Sequence, residues 1–175
     1  ADEIKRLLQW SRQCDINLII DESFLDFADA ENLSLLSEQV LKENKNLYVV
    51  KSISKSYGVP GIRLGILASG NTDMIGRLKK DVSIWNINSM AEFFMQILDK
   101  YKSDYTDSLR KIKEERSRFL NELCAIKNLK VYPSQANYFM CEILDGISSE
   151  ELAGRLLKEN ILIKDLTGKI HNGKQ

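Results

Sequence analysis

Leu47-Tyr48-Val49-Val50-Lys51-Ser52-Ile53-Ser54-Lys55-Ser56-Tyr57-Gly58-Val59-Pro60-Gly61-Ile62-Arg63-Leu64-Gly65-Ile66-Leu67-Ala68 is the stretch whose reading decides the fold. Its first four residues are apolar and β-prone, as a buried strand requires. A serine-rich polar loop follows, and Val59-Pro60-Gly61 then turns the chain into a further strand candidate over 63–68. Upstream, Leu18-Ile19-Ile20 is a short apolar run of the kind seen in buried parallel strands, closed by Asp21-Glu22. Helical spacing surrounds these runs: Ile4, Leu7 and Leu8 before the first, 33–42 between the two, and 71–80 after the third, with Asn71 or Thr72 as N-cap. This β-α-β alternation predicts a layered α/β unit that binds ligands at the carboxyl ends of parallel strands.

From Asn88 the pattern changes. Residues 89–100 and 104–126 read as long helices, 129–132 and 138–143 as strands, 148–159 as a helix and 161–164 as a strand. The order predicts a smaller α+β unit joined near 100–107, so the chain divides into 1–103 and 104–175.

Composition narrows the function classes. The 175 residues are 43% hydrophobic with 2 prolines, enough apolar material for a core without staples. Lys+Arg and Asp+Glu both total 25, which argues against a nucleic-acid partner. Basic residues at Arg77, Lys79, Lys80 and between Arg110 and Arg118 read as solvated helix faces. Cys14, Cys124 and Cys141 form no pairing or zinc pattern and read as reduced thiols of a cytoplasmic protein. The single histidine, His171, disfavours metal and serine- or cysteine-hydrolase chemistry, so no metal site is expected. No apolar run approaches the roughly 20 residues that a membrane span requires.

Chemistry concentrates in the first half. Ser52, Ser54 and Arg63 offer hydroxyl and guanidinium donors suited to a phosphate. Lys55 among them, partly desolvated beside another cation, is suited to act as an amine nucleophile. Asp21 at a strand end is suited to pair with a protonated ring nitrogen. Together the three describe a site for pyridoxal 5′-phosphate. Taken singly, a strand-end acid is more often a cap, and serines often close loops; the joint spacing favours the cofactor. Trp85 and Tyr57 read as packing residues, and Glu22, Asp26 and Asp29 as structural or solvent-exposed.

The wording of Asn17–Phe27 and Val50–Gly65 resembles the fold-type I pyridoxal-phosphate enzymes of aminotransferase class I/II. Within that family the likeness is to the histidinol-phosphate aminotransferase and threonine-phosphate decarboxylase branches. Shorter echoes lie at 85–89, 133–139 and 161–165. The resemblance implies an aspartate aminotransferase-like large domain with a smaller α+β domain, in a homodimer. It implies that Lys55 holds the cofactor as a Schiff base and moves the substrate α-proton, with Asp21 on the pyridinium nitrogen. Ser52, Ser54 and Arg63 would hold the phosphate, and Asn137 and Lys164 would face an amino-acid or amino-acid-phosphate substrate. Phe24 stands where a tyrosine often binds the ring hydroxyl, and resembles the decarboxylase branch in this.

Four family elements have no counterpart here: the glycine-containing phosphate loop, the ring-stacking aromatic, the asparagine at the ring hydroxyl and the C-terminal carboxylate-binding arginine. The chain is therefore expected to be a fragment lacking the N-terminal part and the extreme C-terminus. Two readings follow from this: the lysine-bearing part of a pyridoxal-phosphate transferase or lyase, or a catalytically incomplete aminotransferase-like interaction module.

Overall fold

The computed structural model describes residues 2–169; His171 lies outside them. The chain forms two units, one running to Glu115 and reclaiming Gln135–Asn137, the other made of Arg116–Ser134 and the chain from Tyr138 onward.

The first unit is built on a three-stranded sheet in the order β1-β2-β3, with β1 at Leu18–Asp21, β2 at Leu47–Ser52 and β3 at Gly65–Ser69. β1 and β2 are parallel, with Asp21 opposite Val50. β3 runs antiparallel to β2, Ser52 facing Gly65. The sequence pattern predicts a layered unit with parallel strands, and β1 and β2 are such a pair. The third reverses: the twelve residues between it and β2, which hold a four-residue helix and the turn at Pro60-Gly61, return the chain along the edge of β2 and do not cross the sheet.

Helix α1 (Asp2–Gln13) lays Leu8 and Ile4 on the sheet, where Leu8, Leu47 and Val49 are the buried centre of a cluster flanked by Leu18 and Ile20. Helix α2 (Glu38–Glu43) adds Val40 and Leu41 to that cluster. The helix predicted over 33–42 is shorter than expected, because residues 33–37 are held in non-helical backbone. Buried Glu22 accepts hydrogen bonds from Ser34 Oγ at 2.7 Å and from the Leu35 N–H at 2.6 Å, and Ser37 then caps the helix by accepting from the Val40 N–H. Gly70 marks a close approach: a Cβ there would lie 1.9 Å from the Leu41 carbonyl oxygen.

Beyond β2 come the four-residue helix α3 (Ile53–Ser56), then α4 (Thr72–Asp81), capped by Asn71, and α5 (Ser89–Ile97), capped by Asn88. Trp85, expected to pack, is 89% exposed, and neighbouring Ile84 is 90% exposed. Helix α6 (Lys102–Cys124) passes from the first unit into the second without a break. Arg110 pairs with Glu114, and Arg118 with Glu122, one turn apart, which makes this a solvated helix face.

The second unit contains the hairpin of β4 (Leu129–Val131) and β5 (Cys141–Ile143) and helix α7 (Ser149–Lys158). The strand predicted over 161–164 is not formed: the segment follows α7 as irregular chain, with Ile161 and Leu162 exposed, and it joins neither sheet of the described residues. All three cysteines are free and exposed. No helix among the described residues is long and apolar enough to cross a membrane.

Candidate active site

Because β1 and β2 are parallel and in register, their carboxyl ends lie side by side, and the chain leaving each delivers polar residues to one edge of the sheet. Asp21 is the last residue of β1. The alternation of the strand turns Leu18 and Ile20 toward the core and leaves Ile19 and Asp21 on the other face. Ser52 is the last residue of β2, and α3 begins directly after it, carrying Ser54 and Lys55. Arg63 sits in left-handed backbone (φ 53°) between the Pro60 turn and β3, and its Nη1 donates to the Pro60 carbonyl at 3.0 Å.

The Asp21 carboxylate is held from one side. Its Oδ1 accepts both the Ser23 N–H, at 2.8 Å, and the Ser23 hydroxyl, at 2.5 Å. The Ser23 hydroxyl and then its N–H hold the carboxyl below the usual carboxylate range, with a smaller contribution from the charge of Lys55. Ser23 Oγ in turn accepts the Ser52 N–H at 2.9 Å. Lys55 is exposed, not desolvated as the sequence reading proposed, and its Nζ lies 4.1 Å from the centroid of the Phe24 ring.

Ser23, Ser52 and Arg63 line one open cavity of about 490 Å³ beside β3. Asp21, Ser54 and Lys55 are not on its wall. Ser54 is only 5% exposed, and its Oγ has no hydrogen-bond partner among the described residues. Asn137, exposed, belongs to the first unit, where the neighbouring Gln135 bonds Asp29 at 2.7 and 3.0 Å. Lys164, also exposed, belongs to the second unit.

Beneath this edge lies a polar cluster that the sequence reading passed over. Lys51 and Asp26 pair at 2.6 Å, and Tyr105 of α6 donates its hydroxyl to the other Asp26 oxygen at 2.8 Å. The Tyr105 ring stacks on Tyr57 with centroids 4.0 Å apart, which bears out the packing role expected of Tyr57.

The sequence profile described as aminotransferase class I and II matches residues 1–168. The chain belongs to this family. It is 38% identical to a CMP-5′-(3-aminopropyl)phosphonate synthase of Streptomyces rubellomurinus, over 89% of this chain and 24% of that protein. It is 36% identical to an L-serine phosphate decarboxylase of Campylobacter jejuni, over 88% of this chain and 40% of that protein. The crystal structure of a histidinol-phosphate aminotransferase from Clostridium acetobutylicum superposes with a TM-score of 0.85 at 29% identity, covering 97% of this chain and 50% of that one. The chain thus spans half or less of the length of these relatives. The aminotransferase family depends on pyridoxal phosphate, and the residues at this edge fit that group. A carboxylate acceptor with one oxygen unoccupied, an exposed amine, a guanidinium, and a buried serine hydroxyl lacking a partner are the groups that a phosphorylated pyridine aldehyde calls for.

Proposed function

We propose that this chain carries the lysine-bearing, phosphate-binding part of a pyridoxal-phosphate-dependent transferase or lyase acting on an amino acid or amino-acid phosphate. The observation that carries the reading is the convergence of Asp21 and the Ser52–Lys55 segment at the adjoining ends of two parallel strands. When bound, pyridoxal phosphate supplies an electron sink for bonds broken at the substrate α-carbon. Lys55 would hold its aldehyde end and take up or return the proton at the α-carbon. Asp21, kept ionised, would hold the proton on the ring nitrogen. Ser52, Ser54 and Arg63 would bind the phosphate through hydroxyl and guanidinium donors.

Between transamination and decarboxylation, decarboxylation of an amino-acid phosphate is the better supported. Phe24 beneath the lysine leaves no phenol for the ring hydroxyl, and a relative at 36% identity is named for that activity. Asn137 and Lys164 remain the candidates for substrate contact. The exposed apolar side chains Ile84, Trp85, Met90 and Phe93 support a homodimer, and a cytoplasmic location accords with the free cysteines.

The test is borohydride trapping in the natural polypeptide followed by peptide mapping. A pyridoxyl group on Lys55, absent in Lys55→Ala, is expected. Its absence from the wild type would favour the non-catalytic interaction module instead. Release of carbon dioxide from O-phosphoserine or O-phosphothreonine, without keto-acid formation, is expected of the decarboxylase; keto acid alone would make it a transaminase.

A further inference from the structure

The polar groups of this edge are joined by a residue with no assigned role. Ser23 is 4% exposed, and its side chain can satisfy few partners. It has two: the hydroxyl gives its one proton to Asp21 Oδ1 and receives the Ser52 N–H. An ionised carboxylate can only accept, so the single hydroxyl proton goes to Asp21, and an oxygen lone pair remains to receive the Ser52 N–H. The Ser23 N–H closes the same carboxylate oxygen from the main chain. Asp21 Oδ1 is therefore fully engaged, while Oδ2 has no protein donor among the described residues.

We propose that Ser23 is a positioning residue for the cofactor, locking the Asp21 carboxylate to the start of the Ser52–Lys55 segment and presenting Oδ2 alone to the ring nitrogen. The inference rests on the cofactor reading above and adds to it a cause for the orientation of the carboxylate. An alanine at position 23 would leave the main-chain bond, free the carboxylate to rotate, and remove the acceptor of the Ser52 N–H at the wall of the open cavity. The other charged group acting on Asp21 is Lys55. The adjacent carboxylate, Glu22, is turned away onto Ser34 and Leu35.

The experiment compares wild type, Ser23→Ala, Ser23→Thr and Ser23→Cys in the natural polypeptide, with two readouts. Carbon-13 NMR of the Asp21 carboxyl follows its titration in the cofactor-free protein, and absorbance titration gives the affinity for pyridoxal phosphate. In Ser23→Ala the titration midpoint is expected to rise toward the ordinary aspartate value and cofactor to bind about tenfold more weakly, the equivalent of one hydrogen bond to a charged group. Threonine, which keeps the hydroxyl, is expected to restore both. Cysteine, a weak donor of similar size, is expected to behave as alanine does, and serves if the alanine variant does not fold. An unchanged midpoint, or a shifted midpoint with unchanged cofactor affinity, overturns the proposal. A wild type that binds no cofactor sinks the functional reading itself and this inference with it; a variant that binds like wild type sinks this inference alone.

Discussion

Lys51 Nζ lies 2.6 Å from Asp26 Oδ1, and both side chains are less than one-fifth exposed. Lys51 immediately precedes Ser52 in β2, so the pair ties the end of the strand from which the phosphate-binding segment begins to the turn after β1. Removing one partner leaves the other charge with little water to solvate it. Asp26→Ala is expected to destabilise the protein by about 3 kcal/mol, measured as a lower denaturant midpoint at unchanged slope. A double change of Lys51 and Asp26 to Met and Leu should cost less than Asp26→Ala alone.

The same carboxylate sets an acid limit on stability. Burial acts to raise the Asp26 pKa, but hydrogen bonds from Lys51 and Tyr105 outweigh it and leave the carboxyl below its ordinary value of 3.8. A depressed folded pKa contributes stability that is fully present above the unfolded value and lost as pH falls through the folded one. Unfolding free energy should therefore decline below about pH 4 with a slope that Asp26→Asn reduces. Equal slopes in the two proteins would contradict the pairing.

Tyr105 tests how far α6 is tied to this cluster. Burial, with the Asp26 acceptor adding to it, raises the pKa of its phenol, so the group stays a neutral donor across the working range. Tyr105→Phe keeps the stack on Tyr57 and deletes one hydrogen bond, a loss of about 1 kcal/mol. Tyr105→Ala loses the stack as well and should cost about 3 kcal/mol or more. Thermal melts of the two variants would separate the contributions.

Gly70 is required by space. A methyl group there would meet the Leu41 carbonyl at 1.9 Å, a backbone atom that cannot swing aside as a side chain can. Gly70→Ala should destabilise by about 3 kcal/mol. At Gly58, in left-handed backbone with open space around it, the same change should cost only about 1 kcal/mol. Equal losses at the two sites would show that conformation, and not contact, governs both.

Arg63 can be tested through the phosphate alone. Comparing pyridoxal with pyridoxal phosphate isolates the binding owed to the phosphate group. Arg63→Ala should narrow that difference about tenfold, as expected for the loss of a charge-assisted hydrogen bond. A difference unchanged by the variant would remove Arg63 from the phosphate-binding set.

Much of this molecule is legible along the chain. The apolar run at Leu18–Ile20 and the one at Leu47–Val50 became β1 and β2 because short β-prone runs bounded by polar turn residues favour strands; β2 is the buried one, whereas β1 is covered on one face only and leaves Ile19 exposed. The spacing of Asp21, Lys55 and Arg63 is local information too, since two neighbouring parallel strands and the turns leaving them carry all three. The helix start at Asn71 was readable, because a cap is made by a side chain and the N–H three residues on; Asn88 and Ser148 cap α5 and α7 in the same way. Ser23 was legible only in part: Asp-x-Ser is a pattern for a local side-chain turn, but its second bond goes to a residue 29 positions away.

What tertiary structure alone decided are the long-range partners. Asp26 read as a solvent-exposed or structural acid, and only folding brings it to Lys51 and to Tyr105, 79 positions away. The irregular chain at 161–164 looked like a strand because its side chains favour one, yet a strand exists only where another offers its backbone groups. The exposure of Trp85 likewise could not be read from its identity. Residue types and spacing determined the family and the elements that carry its chemistry, since propensity, capping and hydrophobic period act over a few residues. The orientation of the Asp21 carboxylate and the support beneath Ser52 depended on which distant groups lost their water together, and the assembled fold decides that.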